Sequence, residues 1–336
     1  MTLWMVRAGE HGEYERSALE HKLVAIGWEE LPDLSKVKTK EELKVIYQQY
    51  IPDAEGMSLA NLLGQVWAFV GKIQIGDLVA LPLKTQSAIA IGRITGPYRY
   101  TTEFGAGMKH TRAVEWIKTD IPRTAFDQDI LYSFGAFMTV CQIQRNNAEE
   151  RVKAVLAGKP QPAPQPNAEF EADADASYDL EQIGRDAIQE YINRKFKGHN
   201  LAKLINEILK VDGFFTKMSP PGADGGIDIY AGGGPMGFDE PMIIVQVKSS
   251  DAPADVNVLR SLLGVMTSHR AKQGLLVSWG GFKQTTIKEA ENQFFEVRLW
   301  DAGNVIDAVL TRYDKLSETI QAELPLKRIW TLVQEE

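Results

Sequence analysis

The chain has almost no cysteine: Cys141 is the one cysteine among 336 residues. One cysteine forms neither a disulfide framework within a chain nor a cysteine-based zinc site. The sequence also begins without a signal-peptide pattern and has no run of about 18 apolar residues. These absences exclude a disulfide-stapled secreted protein. We expect a cytoplasmic protein with no membrane partner.

An excess of positive charge is lacking too. The formal net charge is −8, from 37 Lys and Arg against 45 Asp and Glu. Because binding to nucleic acid over a whole surface requires a basic coat, this balance excludes that kind of protein. A local basic groove stays compatible with it, because a metal site built from carboxylates contributes negative charge of its own.

Nucleotide-binding and acyl-transfer motifs are absent as well. The glycines of residues 222–237 match neither the phosphate-binding loop nor the dinucleotide fingerprint, and their spacing is typical of tight turns in a hairpin. No Gly-x-Ser-x-Gly segment or Cys/His pairing indicates a covalent nucleophile. The sequence therefore implies no nucleotide cofactor.

The length and a change of composition predict two domains. The chain exceeds the about 250 to 300 residues at which single hydrophobic cores stop growing. Residues 157–177 alternate proline with polar residues and then acidic residues with alanine, which is typical of an extended spacer. We predict a first domain over 1–150, a linker over 151–178 and a second domain over 179–336.

Hydrophobic periodicity predicts an α/β fold for both domains. In the first, short strand-like segments surround amphipathic helices, which indicates a small barrel-like α/β domain. In the second, two amphipathic helices precede a glycine-rich hairpin, and strands then alternate with helices. That order favours an open mixed sheet covered by helices.

A polar pair interrupts the apolar strand predicted around Val245 and Val247. Because side chains alternate between the faces of a strand, Gln246 and Lys248 point to one face and the two valines to the other. A lysine in such a strand is costly unless a carboxylate, a metal or a phosphate compensates it. Asp228, after a Gly-Gly turn, is the nearest candidate carboxylate.

These residue types suit hydrolysis of a phosphodiester. Carboxylate and amide oxygens from Asp228 and Gln246 can hold Mg²⁺ or Mn²⁺, and Lys248 can orient water and offset phosphate charge. Glu207, on the helix of residues 200–211, is a candidate for a further metal ligand. A chance Asp…Gln-x-Lys triplet with a purely structural role is the alternative.

The arrangement resembles the PD-(D/E)XK nucleases, and within them the Mrr-like type IV restriction endonucleases. The resemblance covers roughly residues 180–310 and rests on the Gly-Gly-Ile-Asp turn followed by Gln-x-Lys. It implies a restriction-endonuclease-like α/β/α mixed sheet, with Asp228, Gln246 and Lys248 as catalytic residues. The family commonly shows a Phe-Glu pair where this chain has Leu201 and Ala202, so Glu207 departs from its pattern.

The first domain is rich in large aromatic side chains, most of which belong to a core in any protein. They also suit a module that holds an extruded base between aromatic faces. The order of short motifs over residues 1–145 resembles the PUA-like readers of modified bases, including the EVE group. That resemblance implies a base-binding pocket bordered by Trp4, Arg7, Trp28, Tyr98 and Tyr100.

The two halves together predict a modification-dependent DNA endonuclease that acts in defence against foreign DNA. The first domain would recognise modified cytosine in double-stranded DNA, and the second would hydrolyse the backbone with Mg²⁺. Because one site cuts one strand, we expect a homodimer or a higher homo-oligomer. Two alternatives stay open: an inactive PUA-like protein that only binds nucleic acid, and an RNA-cleaving defence nuclease.

Overall fold

A computed structural model describes residues 1–52, 56–136, 138–163, 179–220 and 226–330. The chain divides into two compact units, Met1–Ile183 and Gly184–Glu336. Within the described ranges, no helix combines the length and the apolar character that a membrane span requires. Residues 164–178 of the predicted linker lie outside the described ranges, as do residues 221–225 of the glycine-rich segment.

The first unit contains six strands and five of the α-helices among its described residues. The strands are β1 (Leu3–Val6), β2 (Leu23–Ile26), β3 (Leu78–Pro82), β4 (Ala88–Tyr100), β5 (His110–Pro122) and β6 (Val140–Gln142). The helices are α1 (Glu15–Glu20), α2 (Lys40–Tyr50), α3 (Gly56–Trp67), α4 (Gln128–Phe134) and α5 (Ala148–Leu156). A π-helical turn, Ala68–Lys72, directly follows α3.

The six strands form one sheet in the order β2-β5-β4-β3-β1-β6. β1 pairs in parallel with β3 and antiparallel with β6, whereas β4 and β5 form a long antiparallel hairpin. β2 and β6 stand at opposite ends of this order, and no pairing in the described part of the unit joins them. The predicted mixture of helices and strands is confirmed, but this sheet is not a closed barrel.

Helix α5 begins before the predicted linker and continues into it. Its Ala148 and Val152 are buried in an apolar cluster that also contains Leu3 and Phe134. Its Arg151 side chain is 1% exposed and is held at 2.5 Å by Asp127 and at 2.6 Å by Asp129. Residues 151–156 therefore contribute to the core of the first unit.

The second unit contains five strands and six α-helices among its described residues. The strands are β7 (Phe215–Met218), β8 (Ile229–Gly233), β9 (Asp239–Lys248), β10 (Gln273–Ser278) and β11 (Val297–Trp300). The helices are α6 (Leu180–Lys195), α7 (His199–Val211), α8 (Val256–Ser268), α9 (Gln284–Glu291), α10 (Ala302–Arg312) and α11 (Glu318–Glu323), the first of which starts at the end of unit 1.

These strands form a mixed sheet in the order β11-β10-β9-β8-β7. β9, β10 and β11 run in parallel, whereas β7, β8 and β9 pair antiparallel. One face packs on α7 and α10 through Val245 and Val277, and the other packs on α8 through Ile244 and Leu276. The predicted mixed sheet with helices on both faces is confirmed.

We predict that Arg151→Met destabilises the first unit by about 2 to 3 kcal/mol, because Asp127 and Asp129 lose a buried cationic partner. Hydrogen exchange of the β4 and β5 amides measures this loss. Lys153→Met is the control on the same helix. It removes only the exposed pair with Glu149 and is expected to change stability by less than about 1 kcal/mol. Equal effects of the two variants would show that the Arg151 cluster is not structurally important.

Candidate active site

The candidate site lies at the end of β9, near the middle of the second sheet. Val245 and Val247 pack in the cluster that contains α7 and α10, and Ile244 packs in the opposite cluster. The predicted alternation is confirmed, and it places Gln246 and Lys248 on the face of Ile244. Gln246 is buried and Lys248 is half-buried.

Asp228 is joined to β9 by two hydrogen bonds. The Asp228 N–H donates to the Val245 carbonyl at 2.9 Å. The Asp228 Oδ2 atom accepts from the Val247 N–H at 2.7 Å. Val247 lies between Gln246 and Lys248 in the chain, so the carboxylate is fixed beside both of them.

Two opposing effects act on the pKa of the Asp228 carboxyl group. Burial raises the pKa of this carboxyl, and the Val247 hydrogen bond, Lys248 and His199 act to lower that pKa. A carboxylate that is partly desolvated and faces positive charge is the usual setting of a metal ligand or catalytic acid. The electrostatics of Asp228 are compatible with either role.

Two buried polar atoms beside the site have no hydrogen-bond partner within the described part of the chain. They are Gln246 Oε1 and Ser278 Oγ. Gln246 is 4% exposed and Ser278 is 0% exposed. Ser278 is the register partner of Lys248 across the parallel β9–β10 pair, so the two residues lie on the same face. An unpaired buried acceptor costs about 1 to 3 kcal/mol, and a bound cation or substrate group relieves that cost.

The donor set fits a divalent metal ion. Asp228 offers a carboxylate, and Gln246 offers a buried amide oxygen with no other described use. Mg²⁺ is typically held by one or two carboxylates and keeps several waters, so it does not need an all-protein cage. In the described residues, no three His, Cys, Asp or Glu side chains form a cluster able to hold a metal. If a metal ion binds here, Gln246 would be the second protein ligand, in place of an acid.

The structure does not bring Glu207 to these residues. Glu207 accepts from Lys210 Nζ at 2.7 Å, an ordinary pair one turn apart on α7. Although burial acts to raise it, the pKa of Glu207 is lowered by Lys210, Ser317 and Asn206. None of these partners belongs to the group around Asp228.

His199 is the residue that the sequence pattern did not single out. It is the first residue of α7, and its charge acts on Asp228. The preceding Gly198 N–H donates to Ser249 Oγ at 3.0 Å, which joins the start of α7 to the residue after Lys248. In the sequence, the Gly-His pair at the start of α7 is the feature that indicates this contact.

Three of the predicted base-binding residues, Trp28, Tyr98 and Tyr100, lie together around His110 and are half-buried. The Tyr98 hydroxyl lies 2.7 Å from His110 Nδ1 and accepts from the Leu34 N–H at 3.2 Å. His110 Nε2 lies 3.3 Å from the Trp28 carbonyl, and the Tyr100 ring meets His110 edge-on at 5.3 Å. Burial raises the pKa of Tyr98 and lowers that of His110. These aromatic residues form a packed cluster.

The other two predicted base-binding residues lie elsewhere in the first unit. Trp4 is 4% exposed, and its indole N–H donates to Asp77 Oδ2 at 3.0 Å. The Arg7 guanidinium lies 3.7 Å from Asp179 and donates to the Phe134 carbonyl at 3.4 Å. Burial lowers the pKa of Arg7, although Asp179 acts against that shift. Arg7 is therefore engaged by an ion pair.

Comparison with known protein families finds one match in each unit. Residues 193–309 match the family Mrr_cat, described as restriction endonuclease. The similarity of this region to Mrr-like restriction endonucleases, predicted from the sequence, is confirmed. Residues 4–140 match a second family, DUF8426, a domain of unknown function.

Two solved structures are similar over most of the chain. The MspJI restriction endonuclease in complex with a 27-mer oligonucleotide is 13% identical, with a TM-score of 0.32, and the match covers 97% of this chain and 80% of that one. The DNA modification-dependent restriction endonuclease AspBHI is 14% identical, with a TM-score of 0.33, and the match covers 81% and 74% of the respective chains. No curated protein matches the chain in a sequence comparison.

We predict that Gly226→Ala weakens Mn²⁺ binding by about tenfold, because misdirected ligands typically cost a metal site that much. Gly226 has a φ of +91°, and a Cβ there would stand 2.8 Å from the Gln246 amide nitrogen. The amide can move away, so the change displaces a ligand rather than unfolding the chain. Electron paramagnetic resonance of free Mn²⁺ measures the affinity.

Gly213→Ala provides the matched control. Gly213 also has a left-handed φ, +89°, but a Cβ there meets nothing within 4 Å. Both variants carry the backbone strain of about 1 to 2 kcal/mol, and only Gly226→Ala touches the site. Equal Mn²⁺ affinities in the two variants would show that Gln246 is not a ligand.

Proposed function

We propose that this protein is a metal-dependent DNA endonuclease directed to modified DNA. The observation that carries the proposal is the convergence of Asp228, Gln246 and Lys248 at the end of β9, within the segment that matches restriction endonucleases. A metal ion, Mg²⁺ or Mn²⁺, bound by Asp228 and Gln246 supplies a Lewis acid for phosphodiester hydrolysis.

Each protein group has a defined task in this reaction. Asp228 and Gln246 hold oxygen donors at fixed positions, because β8 and β9 are paired and the carboxylate is tied to Val247. The Lys248 ammonium offsets negative charge that develops on the phosphate. Water forms a new bond to phosphorus and loses a proton, while a phosphorus–oxygen bond of the backbone breaks and the leaving oxygen gains a proton.

Selectivity belongs to the first unit. The groups at the site act on a phosphodiester, which is the same at every nucleotide, so they carry no information about bases. A second module that recognises modified cytosine, of the PUA-like kind, would confine cutting to foreign DNA in a defence role. Because one site cuts one strand, each of two copies of the chain would cut one strand of the duplex, so the active form is a homodimer or a larger homo-oligomer.

The test compares three plasmids incubated with Mg²⁺: unmodified, methylated at cytosine, and hydroxymethylated at cytosine. We expect cleavage of a modified plasmid and a loss of at least about a hundredfold in Lys248→Ala, because one charge-stabilising donor is typically worth that much. Gel electrophoresis with time measures the rates. Binding without cutting would support an inactive nucleic-acid-binding protein, and cutting of RNA alone would support an RNA nuclease.

Lys272→Ala is the control for a general loss of positive charge. Lys272 is exposed and pairs with Glu240 near the start of β9, the end opposite Lys248. Its removal leaves the site intact, so the cleavage rate is expected to stay close to that of the unaltered chain. If both variants lose activity alike, Lys248 acts only through overall charge.

Glu207→Gln tests whether Glu207 is a metal ligand, as the sequence suggested, or only the ion-pair partner of Lys210, as its contacts indicate. A metal ligand at this position would make the variant inactive. The pairing with Lys210 predicts a cleavage rate close to that of the original chain, because the loss of an ion pair on α7 removes no contact of the Asp228 group. The same plasmid assay decides between the two.

A further inference from the structure

The first unit contains a cleft between α3, α4 and β6. Trp4 forms part of its floor, Asn61 and Gln65 line it from α3, Tyr132 from α4 and Gln142 from β6. Its volume is about 420 Å³, which falls in the range of about 300 to 1,000 Å³ typical of ligand pockets. The packed cluster of Trp28, Tyr98 and His110 borders none of it.

The lining has the chemistry of a nucleotide site. Lys72 and Arg145 bring positive charge, and no described residue of the lining is acidic, in a chain that is acidic overall. Asn61 and Gln142 present amides, which donate and accept hydrogen bonds as base edges require. Cations at the rim suit the phosphates that flank a base.

One wall of the cleft is held rigid by buried hydrogen bonds. Gln65 is 6% exposed, and its Oε1 atom accepts from the N–H groups of Thr139 and Val140, at 2.7 and 3.2 Å. This ties α3 to the start of β6. The amide of Asn61, one turn earlier on the same helix, therefore projects from a fixed scaffold.

A second wall is the π-helical turn Ala68–Lys72. Such wide turns leave carbonyls without their usual helical partners, and they occur frequently at functional sites. Arg112 satisfies two of those carbonyls by donating to Phe69 at 2.7 Å and to Val70 at 3.0 Å. Burial lowers the pKa of Arg112 to about 10. These hydrogen bonds from Arg112 therefore stabilise the turn, and its Ala68 and Lys72 line the cleft.

We propose that this cleft binds a nucleotide extruded from duplex DNA, with its base against Tyr132, its edge on Asn61 and Gln142, and its phosphates at Lys72. The proposal rests on the proposed function in taking DNA that carries modified cytosine as the substrate. It moves the base pocket from the Trp28 and Tyr98 cluster to the opposite side of α3, where the structure has room for a base.

A side chain introduced at Gly64 would fill the cleft. It lies on α3 in the lining, its φ is not left-handed, and a Cβ added to it meets nothing within 4 Å. Leucine at this position therefore projects into the cleft without forcing the backbone to move. Gly264→Leu is the matched control, because Gly264 is an exposed residue of helix α8 that also has open space around a Cβ.

The experiment uses full-length protein carrying Lys248→Ala, so that no cleavage occurs. Duplexes contain one 5-methylcytosine or 5-hydroxymethylcytosine next to 2-aminopurine, whose fluorescence rises when its neighbour leaves the stack. We expect a rise with the parent and with Gly264→Leu, at least a tenfold smaller rise with Gly64→Leu, and an intermediate one with Gly64→Ala. Circular dichroism checks that each variant is folded.

A fluorescence rise that persists in folded Gly64→Leu would overturn the proposal, and so would a parent protein that causes no rise with either duplex. Fluorescence anisotropy of the same duplexes separates loss of extrusion from loss of DNA binding, because phosphate contacts outside the cleft are expected to survive in Gly64→Leu. Failure of the nuclease proposal shows instead as absence of plasmid cutting with Mg²⁺, a result that does not enter this measurement.

Discussion

The register of β9 between its two neighbours is the constraint on which the candidate active site depends. Val245 faces Ile229 on β8 and Leu275 on β10, and all three are buried in one cluster. A shift of one residue would exchange the two faces of the strand, which would turn Lys248 toward α7 and the valines toward the face of α8. The apolar packing of this face therefore also fixes where Gln246 and Lys248 point. Stability and chemistry are set by the same pairing.

The residues of β9 were predictable because strand alternation is a local rule. Gln246 and Lys248 share a face in any strand, and the glycines of residues 232–237 indicate the hairpin that pairs β8 with β9. The direction of Glu207 was not predictable in this way, because it depends on how α7 is rotated against the sheet. Glu207 lies about 12 Å along the helix from His199, at 1.5 Å per residue. The closeness of His199, at the start of α7, to Asp228 therefore does not show where Glu207 points.

In the first unit, the sequence predicted a mixture of short strands and amphipathic helices, but not which aromatic residues border a cavity. Tyr98 is occupied by a hydrogen bond to His110, a buried partner from the next strand that periodicity does not reveal. Trp4 lines the cleft although it is almost fully buried. Aromatic content thus predicts a binding module more easily than it predicts the pocket, which is set by long-range contacts.

The ion pair of Asp179 has a practical meaning for dissection of the chain into fragments. Asp179 follows the proline-rich segment, yet it belongs to the first unit, where it contacts Arg7 at 3.7 Å and Lys84 at 3.4 Å. It also immediately precedes α6, most of which belongs to the second unit. Excision at the prolines would therefore leave a buried guanidinium without its carboxylate in the amino-terminal fragment. An isolated fragment of the first unit needs to extend at least to Asp179 to keep this carboxylate.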